Sequence, residues 1–194
     1  MASIINVDQI RNAAGTTALT IGTDGRPYPK AGGIVQVQYG QLTTFASQAL
    51  TANTYTKLTA FPSATITPAS TSSILKIDVM WNGEFGVADN ANNNVFVLYR
   101  DSTLIKGNTE SGAVMAGMWG ASTNYYAADA DSTAEHLQGT YFDEPSTTSA
   151  ITYHLGIKVS SSDTIYTNRV VSSTYNASGY ERFISNITVT EIAG

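Results

Sequence analysis

The sequence predicts an all-β fold: an antiparallel, jelly-roll-like β-sandwich preceded by an extended N-terminal anchoring segment. Three observations carry that prediction. From residue 34 onward, apolar residues recur with a period of two in short runs, the signature of half-buried strands. Gaps such as PASTSS, NANNN, SSSD and SSTYNASG separate the runs and are built from turn-forming residues. Charged residues are only 13% of the 194, whereas Ser and Thr number 45. That composition suits pleated strands better than helices with Glu/Lys/Arg-rich solvated faces.

Taken in order, IVQVQY (34–39) alternates Ile34, Val35, Val37 and Tyr39 with Gln36 and Gln38. YTKLTAF (55–61) and ATIT (64–67) flank Pro62 as a second and third strand. ILKIDVMW (74–81) is the clearest, with Leu75, Ile77, Val79 and Trp81 on one face and Lys76, Asp78 and Met80 on the other. VFVLYRDSTLIKG (95–107) reads as a hairpin turning at Asp101-Ser102. AVMAGMW (113–119), LQGTYFD (137–143), ITYHLGIKV (151–159) and TIYTN (164–168) continue the series. RFISNITVTEI (182–192) ends it, with Phe183, Ile187, Val189 and Glu191 on one parity. Short strands at this spacing predict a sandwich or barrel, and the long insertions favour a double-sheet jelly roll. Helical periodicity is confined to VDQIRNAAG (7–15), read as one short helix, and DNANNN (89–94) reads as a loop.

The join lies in GRPYPKAGG (25–33), where two prolines and three glycines predict a hinge-like connector. It divides the chain into an N-terminal segment with connector, 1–33, and a β domain, 34–194.

The net charge of −5 and ten scattered cations exclude a phosphate-binding surface for nucleic acid. There is no Cys, hence no disulfide framework and no thiolate metal site. No apolar run reaches membrane-helix length, and the opening residues lack a basic stretch followed by an apolar one, so neither membrane insertion nor a secretory leader is expected.

Catalytic constellations are scarce. His154 sits within a strand and reads as a satisfied strand histidine, while His136, eighteen positions earlier, shares no recognisable ligand spacing with it. Asp143-Glu144 reads as a strand end entering a turn. Asp129 and Asp131 read as solvated loop acids, although with Asn124 they could chelate Ca²⁺. A polysaccharide-cleaving enzyme would need two carboxylates at a defined separation. No nucleophile elbow, P-loop or dinucleotide fingerprint occurs. The sequence therefore predicts no enzyme, no metal and no cofactor. Trp119, Tyr125 and Tyr126, with Asp129 and Asp131, cluster in a polar Gly/Ser/Asn stretch. Such composition suits an adaptable binding loop, while Trp119 is equally at home in a core.

The opening INVDQIRNAAGTTALTIGTDGR resembles the N-terminal segment of tailed-phage structural and fibre proteins of marine and cyanobacterial phages. Val7, Asp8, Ile10, Asn12, Gly15, Thr16, Ala18, Leu19, Thr20, Ile21, Gly25 and Arg26 occupy the positions that carry the likeness. GGIVQVQYG, ITPASTSSILKIDV, LYRDSTLI, YFDEPSTTSAITYHLGIKV and SNITVTEIAG resemble the distal domain of such proteins, in the same order. The resemblance implies a homotrimer on the virion surface with a tumour-necrosis-factor-like head. It also implies that Ile4, Ile5, Val7, Ile10, Leu19 and Ile21 anchor the protein to other copies or to a capsid or tail protein by strand addition. Expected roles are a capsid head fibre or cement protein, with a tail-fibre tip contacting a host glycan or protein as the alternative. A depolymerase or a lectin-like module outside any virus fits less well.

Overall fold

A computed structural model describes residues 7–23, 25, 27–109, 114–121, 132–172 and 180–194. The expected all-β architecture is observed: antiparallel sheets curl over a shared apolar core, and one helical turn interrupts them.

The first three strands form a small meander of their own: β1 (Gln9–Arg11), β2 (Thr17–Ile21) and β3 (Pro27–Pro29). This overturns the helix read over 7–15. Val7 and Ile10 have helical spacing, but the chain reverses over 12–15, where the Asn12 amide donates to the Thr16 carbonyl at 2.9 Å. Gly15 takes φ +80°, a conformation other residues resist. That turn brings Ile10 opposite Leu19, and cross-strand pairing overrides helix propensity.

The domain comprises β4 (Ile34–Leu42), β5 (Ala46–Leu50), β6 (Thr56–Lys57), β7 (Ala64–Ile66), β8 (Ile74–Phe85), α1 (Ala88–Asn92), β9 (Asn94–Arg100), β10 (Thr103–Ile105), β11 (Glu135–Asp143), β12 (Ile151–Val159), β13 (Asp163–Thr167) and β14 (Ser185–Ile192). In one sheet β8 has β11 along one side, and β14 followed by β13 along the other. β4 lies outside β14, and β5 outside β13. In the facing sheet β12 lies between β9 and the short pair β7 and β6, and β10 lies beyond β9. The pairing is nested: β4 with β14, β7 with β12, β8 with β11, and β9 with β10.

The period-two pattern becomes the core. Leu75, Ile77, Val79 and Trp81 of β8 are buried with Ile187 and Val189 of β14, against Phe96, Leu98, Tyr153, Leu155 and Ile157 of the other sheet. Trp81 lies at the centre, its ring centroid 5.6 Å from Phe85 and 5.4 Å from Phe96 in tilted contact. Its indole nitrogen donates to Thr167 Oγ1 at 3.1 Å.

Buried polar groups fasten the ends. Glu191, fully buried, accepts from the Ala69 amide (2.7 Å), Ser73 Oγ (2.6 Å) and Gln36 Nε2 (2.6 Å), which staples the 67–73 loop to β14 and β4. Asn168 adopts φ +65°, and its Nδ2 donates to the carbonyls of Leu42 and Thr44, fixing the turn between β4 and β5. The hairpin turn expected at Asp101-Ser102 is present, with Asp101 at φ +53° between β9 and β10.

The segment expected as a strand over 113–119 is instead a covering strap in its described part. Only Trp119 makes a bridge, to Phe96. Gly117 lies so close to Val95 that a Cβ would come within 2.5 Å of the Val95 Cβ.

Candidate functional site

Of the six residues expected to anchor the protein, Val7, Ile10, Leu19 and Ile21 are described; Ile4 and Ile5 lie outside the described residues. In the meander, Ile10 of β1 pairs with Leu19 of β2, which pairs with Pro29 of β3; Ile21, two residues on from Leu19, pairs with Pro27. Period-two alternation therefore puts Ile10, Leu19, Ile21 and both prolines on one face. Ile10 is exposed, and Leu19 and Ile21 are half-buried. Val7 is exposed at the parity of the opposite face. Gln9, Thr20 and Tyr28 form the polar row of that second face.

The connector is not a free hinge at its C-terminal end. The Gly32 amide donates to the Ala193 carbonyl (2.6 Å), and the Ala193 amide donates to the Gly33 carbonyl (2.8 Å). The Lys30 amide reaches back to the Ala18 carbonyl at 3.3 Å. These bonds tie the meander to the end of β14.

Tyr125, Tyr126, Asp129 and Asp131 of the expected receptor-binding loop lie outside the described residues. Trp119 is half-buried, and its backbone pairs with Phe96 while its ring covers Gly139 of β11. The ring fills the place where residue 139 has no side chain, so the strap links β9 to β11. A Cβ at 139 would meet Trp119 Cε2 at 2.5 Å. Gly139→Ala is therefore expected to destabilise the domain by about 1–3 kcal/mol through overpacking, and thermal unfolding would measure it.

Among the described residues, several buried ionisable groups make hydrogen bonds that fasten the fold. Asp143 accepts from Arg100 Nη1 at 2.9 and 3.2 Å and from Tyr153 Oη at 2.5 Å. Burial, reinforced by the Asp143 carboxylate, pushes the Tyr153 phenol far above its ordinary range, so it remains a donor. Glu84, fully buried, accepts from the amides of Thr133 and Val171 at 2.6 and 2.5 Å. His136 and His154 project from the outer faces of different sheets, opposite Asn82 and Tyr99 respectively, and do not converge.

Partial burial, with Lys57 nearby, holds the His154 pKa below its ordinary 6.5, while Asp101 opposes the shift weakly. The folded state thus binds this proton less readily than the unfolded chain. The stabilisation is present above pH 6.5 and is lost as pH falls toward the folded-state value. His154→Gln should therefore lose less melting temperature than the parent between about pH 7.5 and 5.5. Equal losses would show that His154 is uncoupled from stability.

No protein-family model matches the chain, and no curated protein matches it.

Proposed function

We propose that this is a non-enzymatic structural protein of a phage particle: a short, homotrimeric head fibre or capsid-decoration protein at the virion surface. It docks through the N-terminal meander and carries the β-sandwich outward. One observation carries this reading. The meander sets Ile10, Leu19 and Ile21 on a single face that three strands of three to five residues are too small to bury. Contact with a capsid or tail protein would cover that face and pair the open β1 edge by strand addition.

The nested pairing of eight domain strands supports the jelly-roll reading. The edge strand β4 supports self-association. Its outer side has no strand partner among the described residues, and no charge occurs between Lys30 and Lys57. Solitary sheet edges usually carry charges or prolines that block pairing. Ile34, Val37 and Tyr39 are instead 65%, 50% and 73% exposed, and Phe142 of β11, on the outer face of the same sheet, is 56% exposed.

Deleting residues 1–29 tests the docking role. The truncated protein should keep the melting transition of the domain and fail to enter particles, while full-length protein scatters light as a species of about three times 20.6 kDa. Normal incorporation of the truncated chain would overturn the reading.

A further inference from the structure

The sheet built on β8 presents a continuous outer face four strands wide, in the order β11, β8, β14 and β4. Leu75, Ile77, Val79, Ile187 and Val189 take its core side, so the alternate residues point outward. One row across that outer face reads Phe142, Lys76, Thr190, Val37, and the next reads Thr140, Asp78, Thr188, Tyr39. The third row, from Gln138 to Gln41, holds no charge.

Two features set this face apart. The first is its charge. Lys76 and Asp78 are the only charged side chains in these rows, and they cancel. Lys76 Nζ lies 2.7 Å from Asp78 Oδ2, and Thr140 Oγ1 donates to Asp78 Oδ1 at 2.5 Å. The chain as a whole carries −5. Identical acidic copies repel one another, and a face without net charge is where they can approach free of that repulsion. The second feature is the placing of the apolar side chains. Ile34, Val37 and Tyr39 stand exposed along β4, and Phe142 stands exposed on β11. Three interstrand spacings, about 14 Å in all, separate these two margins.

Three identical subunits in a closed ring cannot set one patch against itself, because such self-complementary contacts join copies two by two. Each copy must offer two different patches. This face has two, at opposite margins, with polar residues and the closed ion pair between them. We propose that the face is an interface with a second copy of this chain, in which the Ile34, Val37 and Tyr39 margin of one copy packs on the Phe142 margin of the next. Repeated three times, the contact closes a ring. The inference rests on the homotrimer reading above and goes further by naming the contact and its polarity.

Light scattering from full-length variants tests it. The parent should scatter as about three times 20.6 kDa. Tyr39→Lys and Phe142→Glu each set an unpaired charge in one patch, and each should raise the dissociation constant of the trimer by about a hundredfold or more. Both side chains are exposed, so the circular-dichroism spectrum should stay that of the parent. The chain has no Cys, so introduced thiols report contacts directly. Tyr39→Cys and Phe142→Cys together in one chain should yield covalent dimers and trimers on oxidation with diamide. Within one copy the two positions are too far apart to bridge, and either substitution alone should yield no covalent species. Unshifted masses in both charge variants, or covalent dimers from a single cysteine variant, would overturn the proposal. A trimeric parent with no disulfide in the double variant would overturn it too, and would leave the homotrimer reading standing. A monomeric parent would overturn both and leave the face to a capsid or tail protein. Docking through the meander is read separately, by particle incorporation.

Discussion

Trp81→Ala is expected to lower the stability of the domain by about 3–5 kcal/mol, the range for removing a large buried aromatic. Trp81 is fully buried and contacts the rings of both Phe85 and Phe96, so the cavity opens in the layer shared by the two sheets. The flanking strands are hydrogen-bonded on both sides of β8 and cannot collapse into the space. Loss of the indole also strips Thr167 Oγ1 of its donor in a buried place. Trp81→Phe restores most of the volume and should recover more than half of the loss. Urea unfolding with an unchanged slope is the measurement. A shift below about 1 kcal/mol would show that the centre of the sandwich is not where the ring contacts put it.

Glu191→Ala should cost about 1–3 kcal/mol, for a different reason. The buried carboxylate accepts three hydrogen bonds, from Ala69, Ser73 and Gln36. Truncation leaves the buried Ser73 hydroxyl without its acceptor, while exposed Ala69 and half-buried Gln36 can turn to water. The loss should appear first in the 67–73 loop, as faster amide exchange at Ala69 than in β8. Glu191→Gln retains an acceptor oxygen and the volume, so its cost should be smaller. A wild-type melting curve for Glu191→Ala would mean that the loop holds itself.

Much of this was legible in the residues, for identifiable reasons. β8 and β14 have one buried face each, so alternation in ILKIDVMW and ITVTE reports burial directly. Even the inward Glu191 shared the parity of its apolar neighbours. β5 leaves no signal in the sequence because Ala-Ser-Gln-Ala-Leu has almost no apolar contrast; among the described residues it pairs only with β13, and Leu50 is its one buried side chain. The helical turn α1 gives no helical signal because it spans five residues of Asn-rich sequence. In the candidate sites the division is sharper. Ile10, Leu19 and Ile21 could be expected to share a surface because they alternate within short segments. The direction of the Trp119 ring could not be read, since Gly139, twenty positions away, decides it by lacking a side chain. The meeting of Phe142, Lys76, Thr190 and Val37 in one row depends on the registers of four strands, and no spacing in the chain announces it.

The nested pairing also dictates when the protein can fold. Its innermost hairpin, β9 with β10, closes across a turn at 101–102, whereas the outermost pair joins residue 34 to residue 192. β14 lies in the interior of its sheet, between β4 and β8. Until the ribosome has released residue 192, β4 has no neighbour and one flank of β8 is bare over seven residues. The nascent chain therefore holds an unfinished sheet until β14 emerges. Completion waits for β14, when loops of more than a hundred residues close in a slow, non-local step, and crowding of ribosomes on one message would set bare β8 edges side by side.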